Sequence, residues 1–206
     1  MVLAALMLVV SSLAQAAATP HQLMAERIQR ITERIDAERE RIKADENYAA
    51  EVVNEELEGL VDFRRITQLV MGRYFKDSSA EQKRRFLAVF RQSLVSTYSS
   101  GLTLYEGQAV QVIPAQPDDI ANGRARVRSE ITTGSGRIVP INFTLYQTRD
   151  GQWLVENVIV NGLNLGRTFR TQFEQSVAQH QGDLDQVISG WTVGVDVENA
   201  SGEETE

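Results

Sequence analysis

Apolar residues recur at helical spacing through the first half of the chain and at strand spacing through much of the second half. Between Met24 and Ile42 they fall three, four or seven residues apart among mostly charged positions, which predicts a long helix with a narrow apolar stripe. Thr19, Pro20 and Gln22 form a typical helix start, with an N-cap, a first-turn proline and a capping-box partner. We expect this helix to lie against its own domain, and a coiled-coil partner is the alternative.

Three more helical segments follow in the first half. The first runs from Tyr48 to Gly59, and the second follows Asp62, a suitable N-cap, as far as Phe75. The third opens at Ser78 and Ser79, each of which stands three residues before a Glu or Gln, as a capping box requires. Its apolar face is rich in aromatic residues and consists of Phe86, Val89, Phe90, Leu94, Val95, Tyr98, Leu102 and Tyr105.

Beyond Gly107 the apolar period changes from helical to alternating. The four strand patterns cover residues 109–113, 124–131, 137–147 and 152–160. Asp150-Gly151, between the last two patterns, is a strong hairpin signal. Consecutive strands joined by short turns predict a four-stranded antiparallel sheet packed against several helices, an α+β fold.

The last strand is apolar on both faces, with Trp153 and Val155 predicted on one side and Val158 and Val160 on the other. Both faces there are therefore covered, or one of them borders an internal apolar space. Together with the aromatic helix, this strand offers more apolar surface than a thin two-layer domain needs. A solid core and a cavity for a hydrophobic ligand both fit this pattern, and periodicity does not separate them.

Two further helices are predicted after the sheet, over residues 167–181 and 183–191. Residues 192–206 contain five acids and no Lys or Arg, which is typical of a disordered acidic tail. We therefore expect a single domain over residues 17–191, followed by this tail. The tail accounts for most of the formal net charge of −7, and only −2 of it remains for residues 17–191.

The first sixteen residues have the pattern of a secretory signal peptide. Residues 1–13 are uncharged and almost wholly apolar, and Ala14-Gln15-Ala16 is a small-x-small cleavage site. The apolar run is shorter than the roughly 20 residues that span a membrane. No Lys or Arg precedes Arg27, so we expect the natural start to lie upstream of Met1. We expect cleavage and export to a bacterial periplasm, and an uncleaved anchor is the alternative.

The sequence offers little for catalysis or metal binding. Cysteine is absent, and His21 and His180 are the two histidines, so disulfides, thiolate sites and histidine-rich metal sites are excluded. Neither a glycine-rich phosphate loop nor a nucleophile elbow occurs. The acidic balance argues against nucleic acid as a partner. We expect a protein that is not an enzyme and has neither a metal nor a cofactor.

Two sequence blocks carry a resemblance to a known family. The first is Asp62-Phe63-x-Arg65-Ile66-x-x-Leu69-Val70-x-Gly72-Arg73-Tyr74-Phe75, continued by Glu81-Gln82-x-x-x-Phe86-x-x-x-Phe90. The second is Asp150-Gly151-x-Trp153-x-Val155-x-x-Val158-x-Val160-x-Gly162, followed by Arg170-x-Gln172-Phe173. Over about residues 45–191 the chain resembles the MlaC family, the periplasmic phospholipid-binding proteins of the Mla system. In pseudomonads these are also called toluene-tolerance proteins.

The resemblance implies a deep apolar cavity that encloses phospholipid acyl chains, with bound glycerophospholipid as cargo. It also implies transport between an outer-membrane lipoprotein–porin complex and an inner-membrane ABC transporter complex, which maintains outer-membrane lipid asymmetry. We expect a monomer. The residues predicted to line the cavity are Phe90, Leu94, Tyr98, Ile141, Phe143, Trp153, Val155 and Phe173.

Arg170 could lie near a lipid phosphate, although an ion pair or a place on the helix surface is the simpler expectation. The alternative function is a periplasmic protein-binding adaptor with a solid core, using the charged helix of residues 20–59. An enzyme on a similar scaffold would need an internal acid–base pair, which these histidines and carboxylates do not supply.

Overall fold

Eight helices and six strands form the part of the chain that the computed structural model describes, residues 18–103, 105 and 107–194. The helices are α1 (Pro20–Ala37), α2 (Arg39–Ala44), α3 (Glu46–Leu57), α4 (Phe63–Met71), α5 (Tyr74–Asp77), α6 (Ala80–Thr103), α7 (Leu165–Gln179) and α8 (Leu184–Ser189). The strands are β1 (Ala109–Val112), β2 (Ile120–Ala121), β3 (Arg124–Thr132), β4 (Ile138–Gln147), β5 (Trp153–Val160) and β6 (Leu163–Asn164). The expected signal peptide and nearly all of the expected acidic tail, residues 195–206, lie outside the described residues.

The predicted four-stranded antiparallel sheet is present, with two short strands added to it. Its order is β1-β3-β4-β5-β6, every pairing is antiparallel, and β2 pairs with β3. The sequence patterns missed β2 and β6 because strands of two residues are too short to show an alternation. Beside β5, the segment before α4 adds one parallel bridge, between Val61 and Val155.

A β-bulge in β5 overturns the predicted split of its apolar residues between two faces. Thr144 pairs with Asn157 and Leu145 pairs with Val155, so Glu156 is the extra residue. The bulge reverses the alternation at that point. Val155, Val158 and Val160 consequently line the same apolar space, although they were predicted on opposite faces.

The predicted first helix is divided at Glu38, whose backbone leaves the helical region with φ −112° and ψ 14°. The Glu38 carboxylate accepts hydrogen bonds from the Tyr48 hydroxyl on α3 at 2.6 Å and from Arg34 at 3.3 Å. The apolar residues before and after this break therefore pack against different parts of the domain. Met24 packs under the sheet, while Ile42 packs with Tyr48 against α3. The helix lies against its own domain, as expected.

Helices α4 to α8 cover one face of the sheet and share the main core cluster. At its centre the ring of Phe86 lies 4.8 Å from that of Phe173 and 5.3 Å from that of Trp191. Of the two predicted capping boxes before α6, the one formed by Ser79 and Gln82 is present. Packing continues past Trp191, since Val193 is buried and its N–H donates to Ser93 Oγ at 2.5 Å.

Candidate ligand-binding cavity

An apolar cavity of about 240 Å³ lies between the sheet and helices α4, α6 and α7. Its walls are almost entirely carbon. The lining residues are Leu57, Val61, Phe63, Ile66, Phe90, Leu94, Tyr98, Ile141, Phe143, Val155, Glu156, Asn157, Val158, Val160, Leu165, Gly166 and Phe169. A space of this kind excludes water and accepts hydrocarbon.

Two walls of the cavity, those on α6 and β4, follow from a local periodicity. Phe90, Leu94 and Tyr98 stand four residues apart on α6 and therefore share one face of that helix. Ile141 and Phe143 stand two apart on β4 and share one face of the sheet. The cavity thus forms where a helix stripe and a strand face oppose each other without meeting.

Tyr98 brings a hydroxyl group into this apolar wall. Its hydroxyl is buried and has no hydrogen-bond partner in the described part of the chain. Burial raises the pKa of this hydroxyl, which therefore stays neutral at physiological pH. The Tyr98 hydroxyl thus remains a buried polar atom without a hydrogen bond among the described residues.

The cavity becomes polar at one end, where Glu156, Asn157 and Gly166 line it. A second pocket of about 350 Å³ adjoins the cavity there and shares these three residues and Ile66 with it. We call it the arginine pocket. Its remaining lining residues are Leu69, Val70, Arg124, Thr144, Asn164, Arg167 and Arg170. The two spaces together are amphipathic, with an apolar interior and a charged outer part.

Glu156 is the bulged residue of β5, and its side chain is 4% exposed. Its carboxylate accepts hydrogen bonds from Arg65 on α4 and from Arg124 on β3. A buried carboxylate needs such partners because removing it from water is costly. The bulge therefore places a paired charge at the boundary between the cavity and the arginine pocket.

A second polar contact supports the Arg65 side chain at this boundary. The Arg65 guanidinium lies 4.1 Å from the centre of the Tyr146 ring, a cation–π contact. The Tyr146 hydroxyl donates to Asp62, which also caps α4 through the Arg65 backbone N–H. Burial and the Asp62 carboxylate raise the pKa of Tyr146 to about 12, so this donor remains protonated.

Asn157 joins the bulge to the start of α7. Its side-chain oxygen accepts from the Gly166 N–H at 3.0 Å, and its amide donates to Asn164 Oδ1 at 3.1 Å. A Cβ on Gly166 would stand only 2.6 Å from that Asn157 oxygen. Glycine at position 166 therefore lets α7 approach β5 closely enough to close this side of the cavity.

Six of the eight residues predicted for the cavity lie in its wall: Phe90, Leu94, Tyr98, Ile141, Phe143 and Val155. Trp153 and Phe173 do not line it. Trp153 is half-buried beside the cluster of Met24 and Leu60, while Phe173 is fully buried among Phe86 and Trp191. The role of all eight as lipid contacts stays a prediction.

The sequence patterns missed several wall residues on α3, α4 and α7. Phe169 and Phe173 stand four apart on α7, yet Phe169 borders the cavity and Phe173 fills the core beside it. Ile66 was recognisable as apolar, but its face of α4 could not be assigned to a partner. Glu156 and Asn157 could not be found from periodicity, since their position depends on the bulge.

No group of three or more His, Asp and Glu residues within residues 18–103, 105 and 107–194 could hold a metal ion. In the same part of the chain, no helix combines the length and apolarity that crossing a membrane requires. His21 lies 3.5 Å from Asp119, and His180 follows the last residue of α7; neither of them lines the cavity.

An α+β domain with an apolar cavity and a charged pocket at its polar end defines a binding protein for amphiphilic molecules. The chain belongs to the MlaC family, because the family model described as MlaC protein matches residues 25–193. This confirms the resemblance seen in the sequence blocks.

Two relatives and one solved structure extend the comparison. Toluene tolerance protein ttg2D of Pseudomonas putida is 34% identical over 177 residues, which cover 85% of this chain and 81% of that protein. The intermembrane phospholipid transport system binding protein MlaC of Haemophilus influenzae is 27% identical over 161 residues, covering 76% and 73%.

The solved structure is that of a phospholipid-binding protein from Ralstonia solanacearum in complex with a phospholipid. It matches with a TM-score of 0.73 and 22% identity, covering 84% of this chain and 98% of that one. At this level of identity the match shows a shared fold. The predicted α+β class is confirmed.

Proposed function

We propose that this protein is a periplasmic carrier of glycerophospholipids. It holds acyl chains in the apolar cavity and moves lipid between an outer-membrane lipoprotein–porin complex and an inner-membrane ABC transporter complex. This transport maintains the lipid asymmetry of the outer membrane. The observation that carries the proposal is the cavity itself, which is walled by carbon and ends in a charged pocket.

The physical case rests on the cost of exposing hydrocarbon to water. Each CH₂ group that leaves a membrane for water costs about 0.8 kcal/mol, so an unescorted diacyl lipid meets a prohibitive barrier. A carrier removes that barrier by enclosing the chains. Walls built from Phe90, Phe143 and Val158 supply the apolar surface that this requires.

The relatives support a phospholipid as the ligand. One is named as the binding protein of an intermembrane phospholipid transport system, and the solved structure of the same fold holds a phospholipid. The signal-peptide pattern of residues 1–16 supports a periplasmic location. We propose that the carrier acts as a monomer.

We propose a binding protein without catalytic activity, cofactor or metal. The cavity wall contains one carboxylate, that of Glu156, and it is already paired with Arg65 and Arg124. An acid–base mechanism needs a group free to exchange a proton with the ligand. The alternative adaptor function required a solid core in the place where the structure has a cavity.

Native mass spectrometry of the purified full chain tests this proposal. Protein from a bacterial host should carry glycerophospholipid, identified by its head-group and acyl-chain fragments after organic extraction. Removing the lipid should return the mass of the bare polypeptide, and re-exposure to phospholipid vesicles should restore the complex. A chain that shows only its polypeptide mass before extraction, and takes up nothing from vesicles, would contradict the carrier function.

A further inference from the structure

The polar end of the cavity predicts where the head group of a bound lipid lies. Glu156, Asn157 and Gly166 line both the cavity and the arginine pocket, and they stand at the junction of the two. An amphiphile whose chains fill the cavity must direct its polar part through this junction, since the Tyr98 hydroxyl is the one polar side-chain atom among the other described lining residues of the cavity. The arginine pocket is therefore the space that the polar part enters.

The charge around this pocket favours an anion. Three arginines line it, Arg124, Arg167 and Arg170, and one carboxylate, that of Glu156. The carboxylates of Asp62 and Glu174 lie nearby, each in contact with a neighbouring residue. Glu156 is held by two guanidinium groups, and Glu174 pairs with Arg170 at 3.2 Å. Arg167 forms no ion pair with any residue that the structure describes. A cationic group thus remains without an ion-pair partner among the described residues of the arginine pocket.

Contacts on the protein side hold two of the arginines in place. Arg124 is oriented by the buried carboxylate of Glu156. Arg170 is oriented by Glu174 and by the backbone of Gly72, against which its guanidinium lies. A donor that is already fixed loses little entropy when it binds an anion, so the pocket is preorganised for one.

We propose that the arginine pocket binds the phosphate group of the lipid, with Arg167 and Arg170 as its principal donors. This inference rests on the proposed function, and it adds a chemical selectivity to it. The protein should prefer glycerophospholipids to neutral diacylglycerols with the same acyl chains. The exposed position of the arginines leaves the group beyond the phosphate in solvent, so the preference should extend across different head groups.

A competition experiment measures this selectivity. The delipidated full chain is offered equal amounts of phosphatidylglycerol and a diacylglycerol with identical chains, and native mass spectrometry gives the ratio of the two complexes. The test variants are Arg167→Gln and the double variant Arg167→Gln/Arg170→Gln. Arg126→Gln is the matched control, because Arg126 is an exposed arginine of β3 that does not line the pocket.

The wild type should prefer the phospholipid, and the control should keep that preference. Loss of one exposed donor should reduce the preference about threefold, and loss of both should reduce it about tenfold. Circular dichroism should report the same folded spectrum for all four proteins. A double variant with wild-type selectivity would overturn the phosphate site while leaving the carrier function intact.

Two further outcomes distinguish failure of the phosphate site from failure of the proposed carrier function. A wild type that binds both lipids equally would refute the phosphate site alone, and one that binds neither would refute the proposed function as well. A parallel titration with inorganic phosphate distinguishes a lipid phosphate from a free one. Inorganic phosphate should not displace phosphatidylglycerol at millimolar concentration, and displacement that depends on Arg167 would reassign the pocket to a free anion.

Discussion

The guanidinium of Arg170 lies directly against Gly72, with its Nε and Nη2 atoms 3.0 Å from the point where a Cβ would stand. Gly72 ends α4 with φ +54° and ψ −124°, a backbone conformation that residues other than glycine rarely adopt. Gly72 and Arg170 belong to the two sequence blocks that carry the family resemblance. Their contact joins these blocks in space, between α4 and α7, at the edge of the arginine pocket.

Replacement of Gly72 should therefore be costly. Gly72→Ala introduces a Cβ into a strained conformation and pushes the Arg170 guanidinium away, so the free energy of unfolding should fall by about 1–3 kcal/mol. Urea denaturation of the purified variant measures this change. Gly59→Ala is the control, since Gly59 has φ +68° but no heavy atom lies within 4 Å of its Cβ position.

A double-mutant cycle isolates the contribution of the contact. In an Arg170→Ala background, the cost of Gly72→Ala should decrease, because the crowded guanidinium is gone. An equal cost in both backgrounds would mean that backbone strain at Gly72 is the whole effect, and that the contact with Arg170 contributes nothing.

Narrowing the cavity should expel its ligand without unfolding the protein. Phe143 is half-buried in the cavity wall, so Phe143→Trp adds volume to the space that the acyl chains occupy. The amount of co-purified phospholipid should fall below about half of the wild-type amount, with a small change in stability. Ile138→Trp is the control on the same strand, since the Ile138 side chain is 57% exposed. Equal lipid content in the wild type and in Phe143→Trp would exclude Phe143 as a lipid contact.

Phe173 should show the opposite behaviour, because it packs in the core beside the cavity. Phe173→Leu removes ring contacts with Phe86 and Trp191 and should destabilise the protein by about 1–3 kcal/mol. The lipid content of the folded protein should stay at the wild-type level. Thermal unfolding and lipid extraction on the same sample measure both quantities. Loss of lipid at unchanged stability would place Phe173 among the ligand contacts after all.

Stability should decrease in acid through the carboxylate of Glu56. Burial alone would raise the pKa of this group, but hydrogen bonds from Arg30 and Arg34, at 2.7 Å and 3.2 Å, lower it below its ordinary value of 4.5. The unfolded chain then binds a proton more readily than the folded chain does. The stabilisation is complete above the ordinary pKa and is lost as the pH falls through the lower folded value.

Urea denaturation at a series of pH values from neutral to about 3 tests this linkage. Glu56→Gln should be less stable than the wild type at neutral pH, and the difference should shrink as the pH falls. Glu51→Gln provides the control, because Glu51 is an exposed residue of the same helix α3. A constant difference between wild type and Glu56→Gln at all pH values would contradict the assignment.

Much of the secondary structure could be predicted because its causes are local. The Thr19 capping box, the Asp62 cap of α4 and the hairpin at Asp150-Gly151 each depend on residues within a few positions of one another. The four main strands follow from alternation over five or more residues. The predicted helix across residues 24–42 was too long because its break at Glu38 depends on Tyr48, which belongs to another helix.

From the sequence, the cavity residues could be predicted only where they recur at regular helix or strand spacing. Phe90, Leu94 and Tyr98 lie in the cavity wall because one helix face carries all three. Phe173 lies in the core beside that wall, and spacing on α7 does not say which neighbour each aromatic ring meets. Trp153 and Val155 alternate correctly up to the bulge. Beyond Glu156 the alternation of side chains between the two faces of β5 reverses, and no local sequence pattern predicts this reversal.

By itself, the sequence determined the α+β class, the order of the main elements and the family, since these depend on local periodicity, caps and short blocks of residues. The tertiary structure alone decided that an apolar cavity lies between the sheet and the helices, that a bulge places Glu156 at its polar end, and that Arg170 lies against Gly72. Those features depend on the distance between a helix face and a sheet face, and on contacts between residues about a hundred positions apart. The amphipathic cavity is therefore a property of the packed chain.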